Sequence, residues 1–230
     1  MSSMTQNLEL HPRRRMHGRI CLVVGGTSGI GRSVAEQMAR EGAAAVIVAG
    51  RRQHLGEEVA HYCRLHGAMA DFIAADAARD PDVRSLHAAI AEQYGRLDVA
   101  FNNAGIQERP RPLHEQGDAI FSDVINGNVR SVFLCLKYQA KMMMGGGGTI
   151  VVNASVSGVR NSIPGIAPGR VKTDMLISSG ADVEAMGRSL PLGRPGRPEE
   201  AAEVVMWLAS RESSYVVGHI LNADGGFLAS

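Results

Sequence analysis

The sequence predicts an α/β fold in which a doubly wound parallel sheet is flanked by helices within a single domain. Three observations predict it. From Ile20 onward, short apolar runs alternate with longer amphipathic stretches, the pattern of repeated strand, helix, strand units. The composition is 45% hydrophobic but only 4% aromatic, so the core must be built from Val, Ile, Leu, Ala and Met, which suits strands covered on both faces. A chain of 230 residues without an internal repeat or dividing linker fits one large α/β domain.

In chain order, strands are expected at 20–24, 45–49, 71–74, 97–101, 150–153 and 219–222. Helical periodicity covers 33–41, 55–65, 81–94, 115–144 with a break, and 198–209. Gly42 and Gly67 are placed to stop the helices before them. The run Gly145 to Gly148 reads as a turn rather than a phosphate loop, because a strand and not a helix follows it. Residues 1–17 are polar, include Arg13, Arg14 and Arg15, and read as a flexible tail ahead of a folded domain at 18–230. A basic anchor for an acidic surface is the alternative use of that tail.

A formal net charge of +1 gives no nucleic-acid footprint. Cys21, Cys63 and Cys135 are widely spaced in apolar or amphipathic stretches and read as reduced, packed thiols of a cytoplasmic protein. No second pair with ligand spacing accompanies Cys63 and His66, so no metal site is expected. No run of 18 consecutive apolar residues occurs, and no membrane span is expected.

The chemistry begins at Val24-Gly25-Gly26-Thr27-Ser28-Gly29-Ile30-Gly31, between a buried strand and an amphipathic helix. A diphosphate needs close backbone approach and free N–H donors at a helix N-terminus. Gly25, Gly29 and Gly31 remove side chains that would block it, and Thr27 and Ser28 add hydroxyls. A tight connection and nothing more is the bland alternative. About 20 residues on, where a carboxylate would accept from the ribose of NAD, the second strand runs into Gly50-Arg51-Arg52. Two planar guanidinium groups suit a ribose 2′-phosphate instead, so NADP is expected ahead of NAD. Otherwise Arg51 and Arg52 are solvated residues opening the next helix. Asp76-Ala77 follows the third strand and Asn102-Asn103-Ala104-Gly105 the fourth, both at C-terminal strand ends, where open α/β sheets bind ligands.

With these segments in this order, the chain resembles the short-chain dehydrogenase/reductase family, which has a Rossmann-type fold. The spacing Gly-x-x-x-Gly-x-Gly is that family's, although Val24 stands where the family has a Thr that braces the loop. The resemblance implies cofactor contacts from Gly25, Thr27, Ser28, Gly29, Ile30 and Gly31. It puts Asp76 and Ala77 at the adenine, and Asn103, Ala104 and Gly105 along the cofactor and the central sheet. In Pro168-Gly169-Arg170-Val171-Lys172-Thr173, it puts Val171 and Thr173 at the carboxamide and phosphate. Ser155 would hold the substrate oxygen, with Ser157 the weaker candidate, and Asn128 would support a water relay. The implied activity is hydride transfer between NAD(P) and a small-molecule carbonyl or alcohol, in a homotetramer or homodimer without nucleic-acid or membrane partners.

One block of the pattern is missing. The family's proton donor is the Tyr of a Tyr-x-x-x-Lys pair, and four residues before Lys137, Lys141 and Lys172 stand Phe133, Lys137 and Pro168. Pro168-Gly169 follows Ser155 after only thirteen residues, where the family inserts a long helix and a further strand; a full strand, helix, strand unit takes about 30 residues. A helix and a strand are therefore expected to be missing near 165/166. Two readings follow. The favoured one is an oxidoreductase whose block is not in the sequence at hand, because a strand deleted from mid-sheet would leave N–H and C=O groups unpaired. The other is a truncated, catalytically inactive protein that binds a dinucleotide or a partner.

Overall fold

The computed structural model describes residues 14–108, 112–155 and 165–229. Its sheet contains strands β1 (Ile20–Val24), β2 (Ala45–Gly50), β3 (Met69–Ala74), β4 (Val99–Asn102), β5 (Thr149–Asn153), β6 (Gly165–Pro168) and β7 (Ile220–Ala223). All pairings are parallel, in the order β3-β2-β1-β4-β5-β6-β7. The order reverses at β1, so the chain leaves the paired C-terminal ends of β1 and β4 toward opposite faces of the sheet and opens a crevice between the two connections. This is the topological switch point at which such sheets bind ligands.

The helices are α1 (Gly29–Arg40), α2 (Gln53–Leu65), α3 (Asp80–Tyr94), α4 (Asp118–Ile125), α5 (Ser131–Met143), α6 (Asp174–Ser178), α7 (Val183–Arg188) and α8 (Pro198–Ala209). Because side chains alternate along a strand, β1 feeds two separate cores. Cys21 and Val23 pack with α1, α2 and α8, whereas Ile20, Leu22 and Val24 pack with α3 and α5. Both faces are covered, which is why the strand reads as an unbroken apolar run.

Local signals set the helix boundaries. Helix α3 opens with Asp80 and Asp82 in its first turn and Pro81 near its start, and it closes on left-handed Gly95 at φ 71°. Both features suit the helix dipole and its unpaired end groups. The expected break in the long helix is a π-helical turn over Asn126–Arg130, which joins α4 to α5. By length and composition alone the stretch Asp118–Met143 is apolar enough to cross a membrane, a feature hidden in the sequence because charged residues interrupt it. Its inner side nonetheless packs as a sheet layer: Leu134 and Cys135 lie in the second core.

The strand expected to be missing is present. Gly165–Pro168 forms β6, paired with β5 through Val152–Gly165 and Asn153–Ile166, and with β7 along all four of its residues. The sheet thus has seven strands where the sequence shows six, and β7 is not stranded beyond a gap.

Candidate active site and cofactor cleft

The C-terminal strand ends open into a cleft of about 740 Å³, a size ordinary for a small-molecule site. Gly25, Thr27, Ser28, Gly29 and Ile30 form one wall. Arg51 and Arg52 lie at the end of β2, Asp76 and Ala77 after β3, Asn103 to Gly105 after β4, and Thr173 on the far side. Thirteen residues expected from the sequence are thus brought to one crevice.

The glycines divide into two roles. Gly25 has φ 79°, and a Cβ there would lie 2.6 Å from the backbone nitrogen of Ala104. A Cβ on Gly31 would overlap the carbonyl oxygen of Gly25 and lie 2.6 Å from Asn103 Nδ2. These two glycines let the loop close onto the β4 tip, and Gly31 does not line the cleft. Gly31 thus serves packing, while Gly25 both packs on the β4 tip and lines the cleft. Gly29, with φ 54°, faces across the cleft, and its nearest neighbour for a Cβ would be Thr173 Cγ2 at 3.3 Å. It is the glycine whose bare backbone leaves the diphosphate path open. Helix α1 starts here with no acidic residue in its first turn and no side-chain cap on its N–H groups, the arrangement that receives an anion.

Two amide networks hold the strand tips. Asn103 Nδ2 donates to the Gly25 carbonyl at 2.9 Å, and Asn103 Oδ1 accepts from Asn153 Nδ2 at 2.8 Å. The tips of β1, β4 and β5 are thereby pinned side by side. Asn102 and Gln139 exchange two hydrogen bonds of 2.8 Å, tying β4 to α5 where Asn102 is 3% and Gln139 0% exposed. Asn153 Oδ1 is buried without a partner among the described residues, and Asn153 lines the cleft.

The nicotinamide-side residues are distributed less simply. Thr173 caps α6, accepting from the Leu176 N–H at 3.4 Å, and it lines the cleft. Pro168, Gly169 and Val171 do not. Gly169 is needed for close packing, since a Cβ there would lie 2.7 Å from Asp224 Cα. Val171 bridges to Gly196 and turns its side chain into the core at 7% exposure. Asn128 is also off the cleft wall. Its Oδ1 accepts from Ile106 N at 2.8 Å and its Nδ2 donates to Ile106 O at 2.9 Å, which anchors the loop after β4 to the π-helical turn. Ser155 is exposed and is not among the lining residues. Ser157 lies outside the described residues.

The sequence reading missed Asn153, Gln139 and the cleft-lining positions Asp123, Gly127 and Ser131. The last three recur every four residues, a helix-face signal that was there to be found. None of the four tyrosines lines the cleft. Tyr62 Oη accepts from Arg40, Tyr94 Oη donates to Asp71, Tyr138 Oη donates to Asp80, and Tyr215 is fully exposed. Lys137 and Lys172 are paired with Asp80 and Glu184, and Lys141 is likewise absent from the wall.

A family profile described as "short chain dehydrogenase" matches residues 19–167, and one described as "Enoyl-(Acyl carrier protein) reductase" matches 157–228. The chain belongs to the short-chain dehydrogenase/reductase family. That membership places it among the NAD(P)-dependent oxidoreductases that interconvert carbonyls and alcohols. It is 34% identical over 246 positions to the A-factor type gamma-butyrolactone 1'-reductase (1S-forming) of Streptomyces virginiae, covering 91% of this chain and 95% of that one. It is 34% identical to the cis-4-hydroxycyclohexanecarboxylate dehydrogenase of Sinomonas cyclohexanicum, covering 92% and 97%. Levodione reductase superposes with a TM-score of 0.89 at 29% identity, over 94% of this chain and 100% of that one. Since 91% of this dehydrogenase/reductase is about 209 residues, the 246 aligned positions leave about 37 at which the Streptomyces protein has a residue and this chain has none.

The cleft fits the family's cofactor on its own geometry: an uncapped helix start, a bare glycine facing the path, and two arginines that form no ion pair among the described residues. When bound, a nicotinamide ring supplies or accepts the hydride.

Proposed function

We propose that this protein is an NADP-preferring member of its family, acting between ketones and secondary alcohols on compounds built around a non-aromatic ring. The convergence of the glycine loop, the two arginines and the tips of β3 and β4 on one cleft carries the reading. The cofactor preference rests on Arg51, which with Arg52 borders the cleft at the end of β2, where no carboxylate stands to accept from a ribose hydroxyl. The substrate class rests on the relatives, whose names describe a butyrolactone, a hydroxycyclohexanecarboxylate and a steroid. Three buried thiols support a reducing compartment.

The absence of a Tyr-x-x-x-Lys pair from the sequence favours a second reading, in which the same cleft holds the dinucleotide without turnover. The test is to titrate the purified 230-residue chain with NADPH and NADH, then assay oxidation of each against a panel of ketones built around non-aromatic rings. Tighter NADPH binding with ketone-dependent oxidation is expected. Tight binding with no turnover would establish the second reading, and failure to bind either nucleotide would overturn both.

A further inference from the structure

We propose that Arg52 is a positioning residue whose task is to keep Ser28 off the start of α1, leaving that helix end free for the cofactor's diphosphate. This rests on the dinucleotide reading above but not on the choice of NADP. Ser28 is the N-cap of α1 and has the extended backbone of a capping residue, φ −162° and ψ 173°. A serine there ordinarily turns its oxygen back onto an N–H of the first turn. In this protein it makes no such bond. Its Oγ accepts from Arg52 Nη2 at 2.5 Å instead, while Arg52 Nη2 and Nε donate to Thr27 Oγ1 at 2.7 and 3.2 Å.

The rest of the arrangement is built for that contact. Thr27 is 4% exposed, and a Cβ on Gly50 would lie 2.9 Å from its Cγ2 methyl. Glycine at the end of β2 therefore makes room for the methyl, which leaves the hydroxyl for Arg52. Val24 occupies the position where a threonine would supply a bracing hydroxyl, so the brace comes from the neighbouring strand tip. One guanidinium edge spans two neutral hydroxyls, which a lysine ammonium could not do in one plane. Arg51 makes no side-chain hydrogen bond or ion pair among the described residues. It is left as the arginine whose charge is available to a 2′-phosphate.

The experiment measures dissociation constants for NADPH, NADH and ADP by calorimetry on the full chain, with melting temperature as the check on folding. Arg52→Ala is expected to weaken all three by a similar factor, about 10-fold, because each presents a diphosphate. Arg51→Ala is expected to weaken NADPH about 10-fold or more and leave NADH and ADP unchanged. Removing the competing hydroxyl in Arg52→Ala/Ser28→Ala should recover at least half of the lost NADH and ADP affinity, a rescue that a merely structural arginine would not show. Loss of NADPH affinity alone in Arg52→Ala would make Arg52 a phosphate ligand and overturn the proposal, as would absence of the Ser28→Ala rescue. Should Arg51→Ala leave NADPH untouched, the NADP preference fails while the Arg52 result stands by itself.

Discussion

Replacing Gly31 and Gly29 separately by alanine tests the division between packing and ligand approach. At Gly31 the new Cβ would overlap the Gly25 carbonyl oxygen and sit 2.6 Å from Asn103 Nδ2, against ordinary contacts of about 3.5 Å. Loop and β4 tip must part by the better part of ~1 Å, an overpacking of about 1–3 kcal/mol. The 2.9 Å hydrogen bond from Asn103 to Gly25 goes with it, worth about 1 kcal/mol. Alanine's smaller unfolded-state entropy returns about 0.4–1 kcal/mol. A net loss of ~2 kcal/mol follows, and for a domain of this size that lowers Tm by about 4–8 °C. At Gly29 the Cβ meets only Thr173 Cγ2 at 3.3 Å, with the left-handed φ of 54° as the other penalty, about 1–2 kcal/mol. Its Cβ, however, stands in the cleft. Calorimetric titration with NADPH and thermal melting of both variants should show the smaller Tm loss but the larger drop in affinity, about 10-fold or more, for Gly29→Ala. Equal Tm values for Gly31→Ala and the parent would refute the packing role assigned to Gly31.

Three further outcomes are expected. Asn102→Leu strands the buried Gln139 amide and should cost about 2–3 kcal/mol, whereas Asn102→Leu/Gln139→Met should recover most of it; urea unfolding of the three proteins decides. Arg15, 5% exposed, bridges Glu41 and Glu203 and joins the N-terminal segment to α1 and α8. Arg15→Met leaves the Glu41 carboxylate buried without a cation and with only the Gln37 amide donating to it, so a loss of about 3 kcal/mol is expected in the same assay. His87 is buried against Val83 and stacked on Tyr138, and burial holds its imidazole below the usual value. Above the unfolded value of about 6.5 both states are neutral and its contribution is complete. As pH falls below that value the unfolded chain takes the proton first and stability declines until the folded pKa is passed. Tm measured between pH 7.5 and 5 should fall less steeply in His87→Phe, which keeps the stack and cannot titrate; parallel curves would remove His87 from the account.

What the sequence disclosed, and what it hid, follows from where each residue's role originates. Strands β1, β2 and β5 are legible because burial on both faces forces continuous apolar runs. Strand β6 is not, since Gly165-Ile166-Ala167-Pro168 carries a glycine, a proline and only one β-branched residue. Its extended form comes from having β5 and β7 on either side. At the site, the loop from Gly25 to Gly31 and the segment Asn102 to Gly105 announce themselves because their function depends on local spacing. Asn153 and Gln139 do not, because each acts only through a partner far along the chain. The burial of Val171 is hidden for a similar reason: a bridge to Gly196, 25 residues on, decides where its side chain goes.

The shortened segment separates two requirements that a longer chain would meet together. Strands β5 and β6 pair in parallel although only eleven residues lie between Asn153 and Gly165, close to the dozen or so that a parallel crossover needs. Backbone pairing across the sheet is therefore retained, and with it the crevice at β1 and β4. Phe121, Ile125, Val129 and Phe133, spaced four residues apart from α4 into α5, are 65%, 40%, 58% and 63% exposed, an apolar stripe that the other described residues leave uncovered. Most of the cleft wall is drawn from residues 24–153, ahead of the shortening, with Thr173, Asp174, Met175 and Ser178 closing its far side, while the proton donor of the family's chemistry belongs after Ser155. Dinucleotide affinity should accordingly be insensitive to what connects β5 to β6, and inserting a helix that carries a Tyr-x-x-x-Lys pair into that connection should raise turnover without tightening NADPH binding.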